Sequence, residues 1–241
     1  MKTAEFDAAK AAAPLLDTWN GGPRPAALDP KPARPADAYA VQEAVLAGLG
    51  DAGGLWKMAL LDGKTRQASV LPRRTLHDSG ATVSLPDDAA VEVETALILA
   101  GEPAADNPLA AIADIRLAFE LIASRLSPEP GFTSLEGMAD GFRSAAVVLG
   151  GSIEGWQNGL PDRIDITLTL DNADAAATEV AVPLVPSLDF LVWLAGHART
   201  QGRPLKAGDV VITGARIGPL PFNGAKTAKA TAMGTAVSIG L

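Results

Sequence analysis

The chain has no cysteine, which removes disulfides, thiolate nucleophiles and sulfur-ligated metals from consideration together. The compartment stays open on that count. Cationic residues are also in deficit, 20 Lys and Arg against 28 Asp and Glu, for a formal net charge of -8. That leaves no basic face for nucleic acid or an anionic membrane, and neither is expected as a partner. No apolar stretch is long enough to cross a bilayer, and Met1-Lys2-Thr3-Ala4-Glu5-Phe6-Asp7 carries acids where a signal peptide has its apolar run. A cytoplasmic protein is the expectation. Gly151, Gly159 and Gly214 do not assemble a dinucleotide or phosphate-loop pattern. His197 falls in a predicted helix far in sequence from any serine elbow, so no nucleophile triad is visible.

What is present suits one structural unit: 241 residues, 48% of them hydrophobic, can bury a full core. Residues 1–53 read as a helical extension packed on the body, and residues 54–241 as a β-rich domain. Within the extension, Phe6, Ala9, Ala13, Leu16 and Trp19 recur at helical spacing over Thr3 to Trp19. A proline-rich connector follows from Pro23 to Pro35. A second helix, capped by Asp37, carries Tyr39, Val41, Val45, Leu46 and Leu49 before Gly50 and Gly53-Gly54 stop it. Further strands are predicted at Ser144 to Leu149, Ile164 to Leu170, Asp209 to Thr213 and Thr235 to Ile239, with a helix from about Ser187 to Thr200. Many strands with few helices argue for α+β, not a doubly wound sheet.

The chemistry concentrates in three apolar strands that carry charges. In Val91-Glu92-Val93-Glu94-Thr95-Ala96-Leu97-Ile98-Leu99-Ala100, alternation places Glu92 and Glu94 on one face with Ala96 and Ile98. Two readings are open here: a strand with a wet face, or an acid pair that must hold a proton or a cation. In Ile115 to Leu126, Glu120 shares a face with Ala118 and Ile122. Three buried acids cost several kcal/mol each unless they converge on one ion, and all-oxygen ligands favour magnesium or manganese. Leu55 to Leu61 holds Lys57 inside an apolar run, either snorkelling from an edge strand or buried for a purpose. From Asp62 to Asp88 no periodicity is clear, and the stretch reads as a long loop or lid in which His77 is a candidate acid or base.

These residues carry a resemblance that runs through most of the chain. Ala38-Tyr39-Ala40-Val41-Gln42, Trp56-Lys57, Val91-Glu92-Val93-Glu94, Phe119-Glu120 with Ser124-Arg125-Leu126, Ala139-Asp140, Val192-Trp193-Leu194-Ala195, and Leu205-Lys206-Ala207-Gly208-Asp209 running into Ile212-Thr213-Gly214-Ala215 fit in order and spacing. The chain resembles the 2-keto-4-pentenoate hydratase and 2-oxo-hydroxy acid decarboxylase branch of the fumarylacetoacetate hydrolase superfamily. The resemblance implies a mixed β-barrel or roll with peripheral helices, and a homo-oligomer. It makes Glu92, Glu94 and Glu120 ligands of Mg²⁺ or Mn²⁺, with Lys57 in the active site. Asp140 and His77 join Lys57 as catalytic candidates, and Thr213 and Gly214 as substrate-binding ones. The implied activity is lyase chemistry on a short 2-oxo acid or 2-hydroxydienoate. Hydration to a 4-hydroxy-2-oxo acid comes first, with decarboxylation and acylpyruvate hydrolysis as alternatives. Departures stand at Gly141-Phe142-Arg143, at Val185-Pro186-Ser187-Leu188-Asp189, at Ala59 and at Pro72-Arg73-Arg74-Thr75, where the family has other residues. They keep open a different class, a repurposed binding or scaffold subunit in which a side chain such as Arg143 fills the pocket.

Overall fold

A computed structural model describes residues 6–61, 64–128, 131–181 and 184–241. Two helices come first, α1 (Ala8–Trp19) and α2 (Pro35–Leu49). Asp7 caps α1 by accepting the Lys10 N–H at 2.9 Å; residues 3–5, expected to belong to this helix, lie outside the described residues. In α2 the cap position falls on Arg34 instead of Asp37, because Pro35 opens the helix with a preset φ. Asp37 sits in the first turn and accepts from the Ala33 N–H at 3.2 Å and Arg34 Nε at 3.0 Å. Gly50, at φ 60°, ends the helix in the left-handed conformation that glycine adopts freely.

The strands are β1 (Leu55–Leu61), β2 (Thr65–Leu71), β3 (Leu76–Asp78), β4 (Ala90–Leu99), β5 (Ile112–Ile122), β6 (Ser144–Ser152), β7 (Arg163–Leu170), β8 (Ala173–Ala181), β9 (Val210–Ile212), β10 (Ile217–Pro221), β11 (Thr227–Ala232) and β12 (Thr235–Gly240). A short α3 (Ser134–Ala139) and the long α4 (Leu184–Thr200) complete the set. The first sheet runs β2-β1-β9-β4-β5-β6-β3, with β10 also pairing β4. It is mixed and curled: β1 with β9 and β3 with β6 are parallel, the rest antiparallel. The second sheet runs β12-β11-β7-β8. This is the α+β architecture expected, with peripheral helices on a mixed roll.

Alternation along β4 and β5 divides the first sheet into two unlike faces. Val91, Val93, Leu117, Phe119 and Leu121 pack against Ile164, Ile166, Leu168 and Val237 of the second sheet, forming the main core. On the opposite face Leu55, Leu71, Ala96, Ala118, Val147, Val210 and Ile212 form a smaller apolar cluster around the charged residues. Gly150 is required where β6 passes β12: a Cβ there would stand 2.5 Å from the Ala236 carbonyl oxygen and 2.9 Å from that of Leu117.

The stretch from Asp62 to Asp88 is not the loop that was expected. Its described part contains β2, paired residue for residue with β1, then a 3₁₀ turn at Arg73–Thr75 and the short β3. Its strand character is hidden because Gln67 and Ser69 point to the charged face, where polar side chains break the apolar alternation; both are buried.

Candidate metal centre and active site

Register brings the acids together. Glu92 stands directly opposite Glu120 across the β4–β5 ladder, and Glu94 opposite Ala118. Carboxylate oxygens of Glu92, Glu94 and Glu120 all lie within 4.8 Å of one another. Glu94 and Glu120 are fully buried, while Glu92 is partly exposed. Lys57 arrives from β1 through Ile212 and Ala96, its register partners across β9 and β4. Because β1 lies between β2 and β9, Lys57 does not snorkel from an edge; it is 9% exposed, and its Nζ donates to both oxygens of Glu120 at 2.6 Å.

Three acids and one lysine leave the cluster short of positive charge. Burial, and then the Glu120 charge, push the Glu92 carboxyl up to about 7. Burial raises Glu94 well above the usual carboxylate range, with Glu120 adding to it. For Lys57, desolvation pulls the ammonium down, but Glu120 and Glu94 together outweigh it and hold it above its ordinary value. The drop in lysine basicity expected for an apolar pocket is thus reversed by the acids beside it. One Glu94 oxygen, Oε2, accepts from the Gly214 N–H at 2.7 Å; the other, Oε1, is buried with no partner among the described residues. An orphaned carboxylate oxygen facing two more carboxylates fits a hard divalent cation, for which these three residues supply the anionic oxygens.

The remaining candidates separate by location. Thr213 and Gly214 follow β9 and border the centre: Gly214 holds Glu94, and the Thr213 hydroxyl donates to the Thr95 carbonyl at 2.9 Å. Asp140 is buried, but its carboxylate is engaged elsewhere, accepting from Arg125 Nε at 2.5 Å, the Arg125 N–H at 2.9 Å and the Ser124 hydroxyl at 2.8 Å. It secures the turn at Gly141–Arg143 in place of offering a free oxygen. His77 pairs with Val148, which pairs with Phe119, so it projects to the face opposite Glu120. It belongs to β3 and borders an open groove of about 750 Å³ with Trp19, Arg24 and Ser84, away from the acids. Arg143 does not fill the acid cluster, since its side chain is exposed.

Arg216 escaped sequence reasoning, standing in a turn with no periodic signal. It donates to the Gly214 carbonyl at 2.7 Å and contacts the Thr213 hydroxyl at 3.4 Å, bracing the turn that binds Glu94. Desolvation lowers its guanidinium from the usual value, opposed by the Glu94 charge.

Since Glu92 and Glu94 hold protons more tightly than ordinary carboxyls, a cation must displace them. Mg²⁺ affinity is therefore expected to weaken as pH falls through about 7, by about tenfold per pH unit for each proton released. Calorimetry between pH 6 and 8, in two buffers of different ionisation enthalpy, measures that release. A pH-independent affinity with no proton released would contradict it.

No family model matches the sequence. Among solved structures, the chain is similar to the 4-oxalocrotonate decarboxylase of Pseudomonas putida G7 complexed with magnesium and adipate. The TM-score is 0.77 at 19% identity, over 100% of this chain and 99% of that one. A Yersinia pestis protein assigned to the fumarylacetoacetate hydrolase family matches with a TM-score of 0.57 at 19% identity, over 78% of this chain and 92% of that one. The 5-carboxymethyl-2-hydroxymuconate delta-isomerase of Mycobacterium smegmatis gives 0.53 at 15%, over 77% and 75%. Across its whole length, then, the chain shares the fold of the 4-oxalocrotonate decarboxylase, and over 78% of it the fold of the fumarylacetoacetate hydrolase family protein.

Proposed function

We propose that the chain is a divalent-cation-dependent enzyme of short 2-oxo acids and their enol forms, with decarboxylation as its reaction. The observation that carries this is the buried Lys57–Glu120 pair set within a triad of carboxylates, an arrangement that is costly for folding alone and suited to holding a cation beside a proton donor. Glu92, Glu94 and Glu120 would hold the cation. When bound, it supplies Lewis-acid stabilisation of negative charge developing on the substrate's 2-oxygen. Decarboxylation to an enol requires a carboxylate β, or vinylogous, to the oxo carbon. The C–C bond breaks, CO₂ leaves, and the bonding electron pair passes into the enol system. Lys57 then delivers a proton to carbon and regains one from water. Its raised basicity keeps it charged and ready to donate at neutral pH.

The order of preference follows from two observations. Likeness to the 4-oxalocrotonate decarboxylase extends over the N-terminal helices, whereas the isomerase matches 77% of the chain. Hydrolysis of an acylpyruvate needs a base for water, and His77 faces the other side of the sheet from Glu120. Hydration of a 2-hydroxydienoate is the second reading, because it uses the same proton donor beside the same carboxylates. The test is incubation of the Mg²⁺-loaded protein with 4-oxalocrotonate and, separately, with 2-hydroxypenta-2,4-dienoate. Metal-dependent CO₂ release from the first supports decarboxylation; loss of the dienol absorbance from the second without CO₂ replaces it with hydration. Inactivity on both would defeat the reading.

A further inference from the structure

The turn from Thr213 to Arg216 straddles Glu94. It leaves β4 where the Thr213 N–H donates to the Thr95 carbonyl at 3.2 Å, and rejoins it where the Arg216 N–H donates to the Val93 carbonyl at 2.7 Å. Between those points Gly214, at φ 99°, turns its N–H to Glu94 Oε2 at 2.7 Å. Arg216 Nη1 donates to the carbonyl of that same glycine, also at 2.7 Å. A single residue thus joins the guanidinium to a carboxylate of the acid cluster, and the two charges act on each other.

Bracing the turn occupies only one of the three guanidinium nitrogens. Nη2 reaches the Thr213 hydroxyl at a long 3.4 Å, and Nε is buried with no partner among the described residues. Nε and Nη2 share one edge of the planar group, an edge whose two N–H groups match the two oxygens of a carboxylate. A buried N–H left unpaired destabilises the fold, so an acceptor is called for. Glu94 Oε1 is buried and unpaired as well, so these two neighbouring residues do not satisfy each other. Charge points the same way. The Lys57 ammonium and a bound dication offset the carboxylates of Glu92, Glu94 and Glu120, which leaves the guanidinium as surplus positive charge next to the centre.

We propose that the Nε and Nη2 edge of Arg216 binds the 1-carboxylate of the substrate, the group attached to the 2-oxo carbon, and so orients the 2-oxygen toward the cation. This rests on the functional reading above, which leaves that carboxylate, distinct from the one that departs as CO₂, without a partner on the protein. Arg216 then has two contacts with two purposes: Nη1 holds the Glu94 turn, and the open edge holds substrate. The second role needs the fork as well as the charge, and only arginine carries both.

Pyruvate and pyruvamide separate the two roles, because the amide keeps the 2-oxo group and the chain length and lacks only the charged carboxylate. Calorimetry on Mg²⁺-loaded wild type is expected to show pyruvate binding at least about tenfold more tightly than pyruvamide. Arg216→Gln keeps a side-chain N–H for the Gly214 carbonyl but has neither the charge nor the fork. It should lower pyruvate affinity by at least about tenfold, leave pyruvamide affinity unchanged, and hold Mg²⁺ affinity within about threefold. Arg216→Lys, which restores the charge alone, should recover part of the loss. Equal affinities in wild type, equal losses for both ligands, or unchanged pyruvate affinity in Arg216→Gln overturn the assignment. A fall in Mg²⁺ affinity of about tenfold or more in either variant also overturns it, since Arg216 would then act only through Glu94. If Arg216→Gln fails to fold, Arg216→Lys decides, and an undiminished preference for pyruvate there overturns the assignment. If wild type shows no Mg²⁺-dependent binding of pyruvate, the functional reading itself falls, and this role of Arg216 with it.

Discussion

Glu94→Gln is expected to weaken Mg²⁺ binding by at least about 100-fold, and at the same time to make the metal-free protein harder to unfold in urea at pH 8. The two effects have one cause. Glu94 is fully buried, its carboxyl is held well above the usual range, and its Oε1 has no partner among the described residues. Ionising it at pH 8 therefore works against the fold. Glutamine has the same shape, keeps an oxygen for the Gly214 N–H, and has no charge to desolvate. Replacing a buried charge by a neutral group of similar volume is commonly neutral or stabilising. The same exchange removes an anionic ligand, and metal-dependent turnover should fall with it. Calorimetry for Mg²⁺ and a urea midpoint for the apo protein give both quantities. Unchanged Mg²⁺ affinity would remove Glu94 from the centre, and a large loss of apo stability would make it a structural residue.

Sign matters here because the folded state raises these pKa values. A carboxyl with a folded pKa above its unfolded value of 4.5 favours the fold below 4.5 and ceases to do so as pH rises through the folded value, about 7 for Glu92. Metal binding then restores the balance above that pH.

Much of this centre is legible in the sequence, since a period of two assigns faces unambiguously. It places Glu92 with Glu94, and Glu120 with Ala118, on faces that turn out to be the same side of one sheet. Alternation cannot supply the pairing across strands. That Glu92 meets Glu120, and that Lys57 reaches Glu120 from three strands away, are matters of register set by the whole sheet. The same limit explains His77. In a presumed lid it could be imagined swinging over the acids, whereas β3 fixes it opposite Val148 and so on the wrong face.

Elements built from small or polar residues were the ones overlooked. β11 reads Thr-Ala-Lys-Ala-Thr-Ala, and its buried positions are Ala228, Ala230 and Ala232. Alanine contributes little to a hydrophobic period, yet it is what fits where the second sheet packs closely on Leu117 and Phe119. α3 is signalled only by the Thr133–Glu136 capping box, with Thr133 accepting from the Glu136 N–H at 3.1 Å and Glu136 from the Thr133 N–H at 2.9 Å. A six-residue helix is too short to show a period of 3.6.

Lys57→Met separates proton transfer from metal binding. Turnover is expected to fall by about 10²- to 10⁴-fold, the usual contribution of a positioned acid or base, while Mg²⁺ affinity is maintained or improved. The ammonium engages both oxygens of Glu120 at 2.6 Å, so in the wild type it competes with an incoming dication for that carboxylate and repels it. Methionine keeps an apolar stem beside Ile212, its register partner on β9, without either effect. The cost appears in the apo protein, where the cluster loses its buried counter-charge and Glu92 and Glu94 must retain protons to higher pH. Mg²⁺ should therefore raise the melting temperature of Lys57→Met by more than it raises that of wild type. Turnover within threefold of wild type would exclude Lys57 as the proton donor. Loss of Mg²⁺ binding in a folded variant would instead make its pairing with Glu120 the feature that organises the metal site, because the carboxylate could then no longer be held in place for a cation.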